Sequence, residues 1–240
     1  MSQKAGLYQE HTNIPKAHLP IVGNWDSANT TIGAGVAIFH LASSRVVLCY
    51  HSTKNYYFLP KGRRDASEDT GSGAEREGFE ESGYRNRLLP LPIPTRQPKA
   101  HNPSPSSAAT TPFVTEPVWT QLVPVTRTAQ YILFWYIAET VPPDLEVSLS
   151  AQEKEQGMAY QYPPKFSPEM TLKERMEMER EGYEPIRHEN TGVDAEEALY
   201  ESYLMPVEEA IEKLGRGISA DVVRKGWEAI QLKHKMEDGR

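Results

Sequence analysis

The chain has 240 residues, 38% of them hydrophobic, and a formal charge of −7 from 33 acidic against 26 basic residues. That content can bury one good core with insertions, and the acidic balance argues against a general polyanion-binding surface while leaving room for a local basic cluster. A single cysteine, Cys49, excludes an intramolecular disulfide and reads as a buried structural thiol in a reducing compartment. No run approaches the roughly 18 apolar residues of a membrane span, and residues 1–20 lack the apolar core of a secretory signal. The expectation is an intracellular protein, cytoplasmic or nuclear, with no membrane partner.

Residues 1–30 are polar and interrupted by Pro15 and Pro20, and read as an N-terminal arm anchored by Tyr8 and Trp25. Residues 31–240 read as one domain. Thr31 to Ala42 is rich in small and β-branched residues and predicts a central strand. Arg45 to Tyr50 follows after the turn Ser43-Ser44, so the two make a hairpin. His40 and His51 have no second His or Cys at ligand spacing and read as core or surface residues. Tyr56 to Leu59 predicts a short strand leading into Pro60-Lys61-Gly62.

Leu59 to Tyr84 is the most informative stretch of the chain. Glu77, Glu80 and Glu81 stand at i, i+3 and i+4, which projects three carboxylates from one face of a helix. Three crowded anions call for a cation, and hard oxygen donors suit Mg²⁺, with Mn²⁺ as a substitute. Ser72 with Glu75 fits a capping box, and Gly83 sits where a helix commonly ends in a left-handed residue. Gly62 to Gly71 predicts a polar loop. Gly78 inside the helix costs about 1 kcal/mol relative to Ala.

This pattern, Gly62, five residues, Glu68, seven residues, then Arg76-Glu77-Gly78-Phe79-Glu80-Glu81-Ser82-Gly83-Tyr84, resembles the signature of the Nudix hydrolases. It departs at Gly78, where the family usually carries an aliphatic residue or Thr. The resemblance implies an α/β/α sandwich around a mixed, partly antiparallel sheet, here with an inserted loop and helix. It implies that Glu77, Glu80 and Glu81 hold the metal, with the Gly62 carbonyl as a further ligand, and that Arg76 orients the carboxylates through Glu68. The reaction implied is water attack on a diphosphate linkage. Glu77 is one candidate for the general base; Glu139, Glu197 and Glu201 are others from outside the motif. Lys61, Arg63 and Arg64 are candidates for phosphate contact. The Pro-Lys-Gly loop resembles subgroups acting on diphosphoinositol polyphosphates, diadenosine polyphosphates and capped RNA.

Beyond the box, Arg85 to Pro98 predicts an edge strand broken by prolines, and residues 99–118 a mobile Pro/Ser/Thr loop. Trp119 to Thr140 restores β character, with Gln130 to Ala138 apolar enough to be buried on both faces. Residues 141–194 exceed what the minimal fold needs. Within them Ser167 caps, and Pro168 begins, a charged helix running to about Gly182, read as a peripheral insertion. Tyr160 and Tyr162 read as packing residues with base stacking as the alternative. Leu199 to Met205 predicts the last strand, Pro206 begins a helix, and Ser219 caps another.

The substrate expectation is a small phosphorylated molecule, first a diphosphoinositol polyphosphate or dinucleoside polyphosphate, with nucleoside diphosphate sugars and nucleoside triphosphates open. An alternative of a different class is a Nudix-fold binding protein for nucleic acid or a protein partner, resting on the extra length, the paired tyrosines and the basic cluster. The acidic total weighs against nonspecific nucleic-acid binding. Monomer and dimer both fit.

Overall fold

The computed structural model describes residues 20–98, 112–158, 160–192, 194–195 and 197–239. Tyr8, most of the expected arm and most of the expected loop lie outside the described residues. Strands β1 (Thr30–His40), β2 (Arg45–His51), β3 (Tyr56–Phe58) and β4 (Lys61–Arg63) precede helix α1 (Thr70–Ser82). Then come β5 (Asn86–Leu88), β6 (Trp119–Pro124) and β7 (Gln130–Thr140), followed by helices α2 (Pro143–Gln156) and α3 (Leu172–Glu177). Strand β8 (Tyr200–Pro206) and helices α4 (Val207–Leu214) and α5 (Ile218–Asp238) close the chain. The sheet has eight strands among the described residues, with β3-β2-β1-β7-β5 as its main path; β8 pairs β2, β4 pairs β1 and β6 pairs β7. The central pair β1–β7 is parallel and the other pairs are antiparallel, so the sheet is mixed as expected.

Strand alternation divides the core into two faces. Ala34, Val36 and Ile38 of β1, with Tyr136 and Ala138 of β7, pack with Ala74 of α1 on one side. Ala37 and Phe39 of β1, with Leu133, Trp135 and Ile137 of β7, pack with Val222, Val223 and Ile230 of α5 on the other. Both central strands are therefore buried on both faces, which is why their sequences read as near-continuous apolar runs. Cys49 is fully buried on β2, in the structural role expected of it. Among the described residues no helix is long and apolar enough to cross a membrane.

Several expectations are corrected. Helix α1 is capped by Asp69, whose carboxylate accepts from Gly71 N and Ser72 N, and not by a Ser72–Glu75 box. Glu75 is instead drawn to the Leu88 amide at 2.7 Å. Gly83 does end the helix in the left-handed region, at φ 74°. The Gly62 loop begins as strand β4, in register with β1 through Ala34↔Gly62. Helix α2 was not anticipated. Ser167 and Pro168 do not start a helix; α3 starts after Thr171, which forms a complete capping box with Glu174. Helix α5 begins at Ile218 with no side-chain cap from Ser219.

Nor is α3 peripheral. Leu172 is buried, and the fully buried Arg175 pairs with Glu139 at 2.7 Å and Glu179 at 2.8 Å while donating to the Thr140 carbonyl. Glu179 also pairs with His40, and Glu139 takes a second bond from Arg87 at 2.7 Å. On α2, Glu146 and Glu153 both bind the buried Arg85. Burial pushes the Glu146 carboxyl up, but the His188 hydrogen bond and the Arg85 charge outweigh it and hold the group below the usual range.

Gly78 has a packing reason. A Cβ there would lie 2.6 Å from Asn86 Nδ2 and 2.8 Å from Val36 Cγ1, so α1 needs the missing side chain to sit against the sheet. Gly78→Ala is expected to destabilise by about 1–3 kcal/mol through overpacking, despite the ~1 kcal/mol gain in helix propensity, as read by urea denaturation. A second test concerns Lys233, which is 1% exposed, lies over the Phe113 and Phe166 rings, and donates to the Pro90 carbonyl. Burial pushes its pKa down to about 8, whereas the unfolded amine titrates near 10.5. Between those values the unfolded chain binds more protons, so stability should climb with pH by up to about 1.4 kcal/mol per unit. Lys233→Met should remove that slope in denaturation midpoints taken across the window.

Candidate active site

The candidate site lies where β4 and its following loop meet α1. A cavity of about 990 Å³ opens there, lined by Lys61, Gly62, Arg63, Arg64, Asp65, Arg76 and Glu77 from the motif. Trp25, Asp26, Ile32, Val123, Pro124, Val125 and Tyr131 line it from the sheet side, together with Asp194 and Glu197 from the segment before β8. Trp25, expected to anchor the arm, is 39% exposed and forms part of this wall.

Arg76 is the hub. Its Nε and Nη2 each donate to Glu68 at 3.0 Å, Nη2 also reaches the Arg63 carbonyl, and Nη1 reaches Glu77 at 3.0 Å and Glu80 at 2.7 Å. Burial works against its charge, but the hydrogen bonds and charges of Glu68, Glu77 and Glu80 raise its pKa further above the ordinary value. Glu81 is held elsewhere: its Oε2 accepts from the Lys61 amide at 2.7 Å. The helix thus brings the three carboxylates to one face, and the β4 backbone rather than Arg76 anchors the third.

Gly62 makes this geometry possible. A Cβ there would lie 2.0 Å from Glu77 Oε2, so the carboxylate rests directly against the strand. The Gly62 carbonyl accepts from the Tyr131 hydroxyl at 2.9 Å. That hydroxyl crosses above Gly33, where a Cβ would meet it at 2.0 Å. Tyr131 reads as core in the sequence; only the parallel Thr31↔Tyr131 register places it beside the loop.

The carboxylates are poorly compensated. Burial first, then the charges of Glu80 and Glu197, raise Glu77 to about 7 against the opposing pull of Arg76. Burial, then Glu77 and Glu197, raise Glu81 to about 8 despite Lys61. Burial also raises Glu80. Among the described residues no three His, Cys, Asp or Glu side chains already converge as a ligand cage. Under-neutralised hard oxygen donors with an adjoining carbonyl nevertheless suit a hard divalent cation.

The phosphate candidates Lys61, Arg63 and Arg64 all line the cavity, and Arg64 Nη1 also donates to the Asp65 and Glu68 carbonyls and so ties the loop. Among the outside carboxylates, Glu197 lines the cavity. Glu139 is fully buried between Arg87 and Arg175, and Glu201 accepts from Tyr203 on β8; neither is part of the lining. Tyr160 packs on Phe79 at 5.0 Å and Tyr162 donates to Glu68 at 2.6 Å, so the pair packs against the motif.

No family model and no curated protein matches the chain. Solved structures similar to it include a NUDIX-family hydrolase from Clostridium perfringens, 15% identical over 84% of this chain and 97% of that one, with a TM-score of 0.41. A NUDIX hydrolase from Nitrosomonas europaea is 10% identical over 87% and 90%, with a TM-score of 0.39. An Ap4A hydrolase of C. elegans is 14% identical over 81% and 93%, with a TM-score of 0.35.

Gly62→Ala should keep stability within about 1 kcal/mol, since the clash falls on a movable side chain, yet should displace the Glu77 carboxylate. A denaturation midpoint beside the Glu77 carboxyl ¹³C shift measures both, and an unmoved shift would contradict the seat described here.

Proposed function

We propose that the chain is a Nudix-type, divalent-cation-dependent pyrophosphohydrolase that cleaves a diphosphate linkage by water attack. The observation carrying this reading is the set of three under-compensated carboxylates on one face of α1, Glu77, Glu80 and Glu81, of which Glu77 lines the cavity beside Gly62 and shares the Arg76 guanidinium with Glu80. These residues would hold the ion, which when bound supplies positive charge to the phosphoryl oxygens and lowers the pKa of the attacking water. Arg76, gripped by Glu68, keeps Glu77 and Glu80 turned to the site. Lys61 and Arg63 offset phosphate charge. The water oxygen bonds to one phosphorus as the anhydride P–O bond breaks, and its proton passes to a carboxylate. Of the four glutamates considered as general base, Glu77, Glu139, Glu197 and Glu201, the first and third line the cavity.

The lining also favours one substrate over another. Four cations, Lys61, Arg63, Arg64 and Arg76, face five carboxylates, Asp26, Asp65, Glu77, Asp194 and Glu197, among the described residues. A densely phosphorylated inositol ring would meet little net positive charge there beyond that of the bound cation. A short phosphate bridge ending in a planar ring suits it better, with Trp25, Ile32, Val123 and Val125 as the apolar wall. A dinucleoside polyphosphate is therefore the preferred substrate class. The nucleic-acid-binding alternative draws no support from Tyr160 and Tyr162, which are engaged with α1 and Glu68, or from Arg64, which is engaged with its own loop.

Product release from diadenosine polyphosphates, a diphosphoinositol polyphosphate, ADP-ribose, nucleoside triphosphates and capped RNA with Mg²⁺ tests the reading. Glu80→Gln and Glu81→Gln should each cut turnover at least about a hundredfold while the fold persists. Near-normal turnover in both at saturating Mg²⁺ would remove these residues from the chemistry.

A further inference from the structure

We propose that Tyr162 is a positioning residue of the carboxylate site, acting through Glu68 on Arg76; the inference rests on the hydrolase reading above. The Tyr162 hydroxyl donates to Glu68 Oε1 at 2.6 Å. The same carboxylate takes Arg76 Nε and Nη2 at 3.0 Å each and the Asp65 amide at 2.8 Å. The remaining Nη1 of Arg76 lies on Glu77 and Glu80. One guanidinium is thus shared between Glu68 and two carboxylates assigned to the cation, so the grip of Glu68 sets how strongly Arg76 competes for their oxygens. A hydroxyl fixing Glu68 Oε1 holds that carboxylate in the orientation that receives the guanidinium fork.

Tyr162 is itself placed by the added segment. Its ring meets Tyr160 edge-on at 5.1 Å, and Tyr160 packs on Phe79 of α1. The intervening Gln161 is pinned at both ends: its amide donates to Glu153 of α2 at 2.7 Å, and its carbonyl accepts from Arg85 at 3.3 Å. Helix α2 is therefore the platform from which a side chain far along the chain reaches the motif loop. The ring packs on Tyr160 whether or not the hydroxyl is present, so the hydroxyl can be removed alone.

Tyr162→Phe, Glu68→Gln and the double substitution, compared with the natural chain, test the role. The readouts are Mn²⁺ affinity by calorimetry, kcat and KM on the hydrolysed substrate, and the thermal midpoint. Tyr162→Phe should weaken Mn²⁺ about fivefold and lower kcat about tenfold with KM within about twofold. The midpoint should move by less than about 2 °C, and the loss should vanish on the Glu68→Gln background. Unchanged Mn²⁺ affinity in Tyr162→Phe, or an equal loss on the Glu68→Gln background, overturns the role. A natural chain that binds Mn²⁺ but hydrolyses nothing overturns the hydrolase reading alone, and the Mn²⁺ comparison then decides for Tyr162. A natural chain that binds no Mn²⁺ overturns both.

Discussion

The site depends on how closely α1 approaches the sheet. Carboxylates on a helix reach a strand backbone only where side chains between them are missing, and the chain leaves those gaps at Gly78, facing Asn86 and Val36, and at Gly62, facing Glu77. Close approach brings burial, and burial of like charges is unfavourable unless something neutralises them. Arg76 does so for Glu68 and in part for Glu77 and Glu80; Glu81 has one backbone amide and the nearby Lys61 charge. A helix held this tightly therefore carries an electrostatic deficit at its carboxylate face, which a divalent ion is suited to relieve. Packing and chemistry are here one constraint.

The motif and the central strands were legible because their signals are local or periodic. Three carboxylates at helical spacing, a left-handed Gly83 and strands apolar on both faces need no knowledge of the rest of the chain. The errors arise where two local signals compete or where a partner is distant. Asp69 and Ser72 are both good caps, but Glu75, the reciprocal half of the expected box, is claimed by the Leu88 amide of β5. Ser167-Pro168 and Thr171-Glu174 both announce a helix start, and the pair with the complete reciprocal box prevails. Helix α2 has no apolar stripe to reveal it, burying only Glu146 and Leu149.

Helices α2 and α3 are attached by charge as much as by hydrophobic contact. Arg85 receives Glu146 and Glu153, while Glu139, Arg175, Glu179 and His40 form a chain of buried pairs running from β7 through α3 back to β1. Such pairs contribute little net stability over well-packed apolar residues, because desolvation offsets their attraction. Their geometry is nonetheless demanding, and a segment fastened this way sits in one register. Composition describes α3 as a charged surface helix; only the tertiary partners show that one of its charges, Arg175, points inward.

The β1–β7 pairing has a consequence for how the molecule is made. Each residue of β1 from Thr30 to Phe39 meets the one a hundred positions later, beginning with Thr30↔Gln130. Local contacts cannot stand in for that pairing, so topology places this domain among slow folders. On a ribosome adding about 5–20 residues per second, β1 would wait roughly 5–20 s for its parallel neighbour. Through that interval β2 can cover one edge of it and α1 one face, while its other edge stays open. The glycines at positions 33 and 35 weaken the strand as a template for other chains during the delay, so Gly33, which makes room for the Tyr131 hydroxyl, also lowers the risk of misassembly before the site exists.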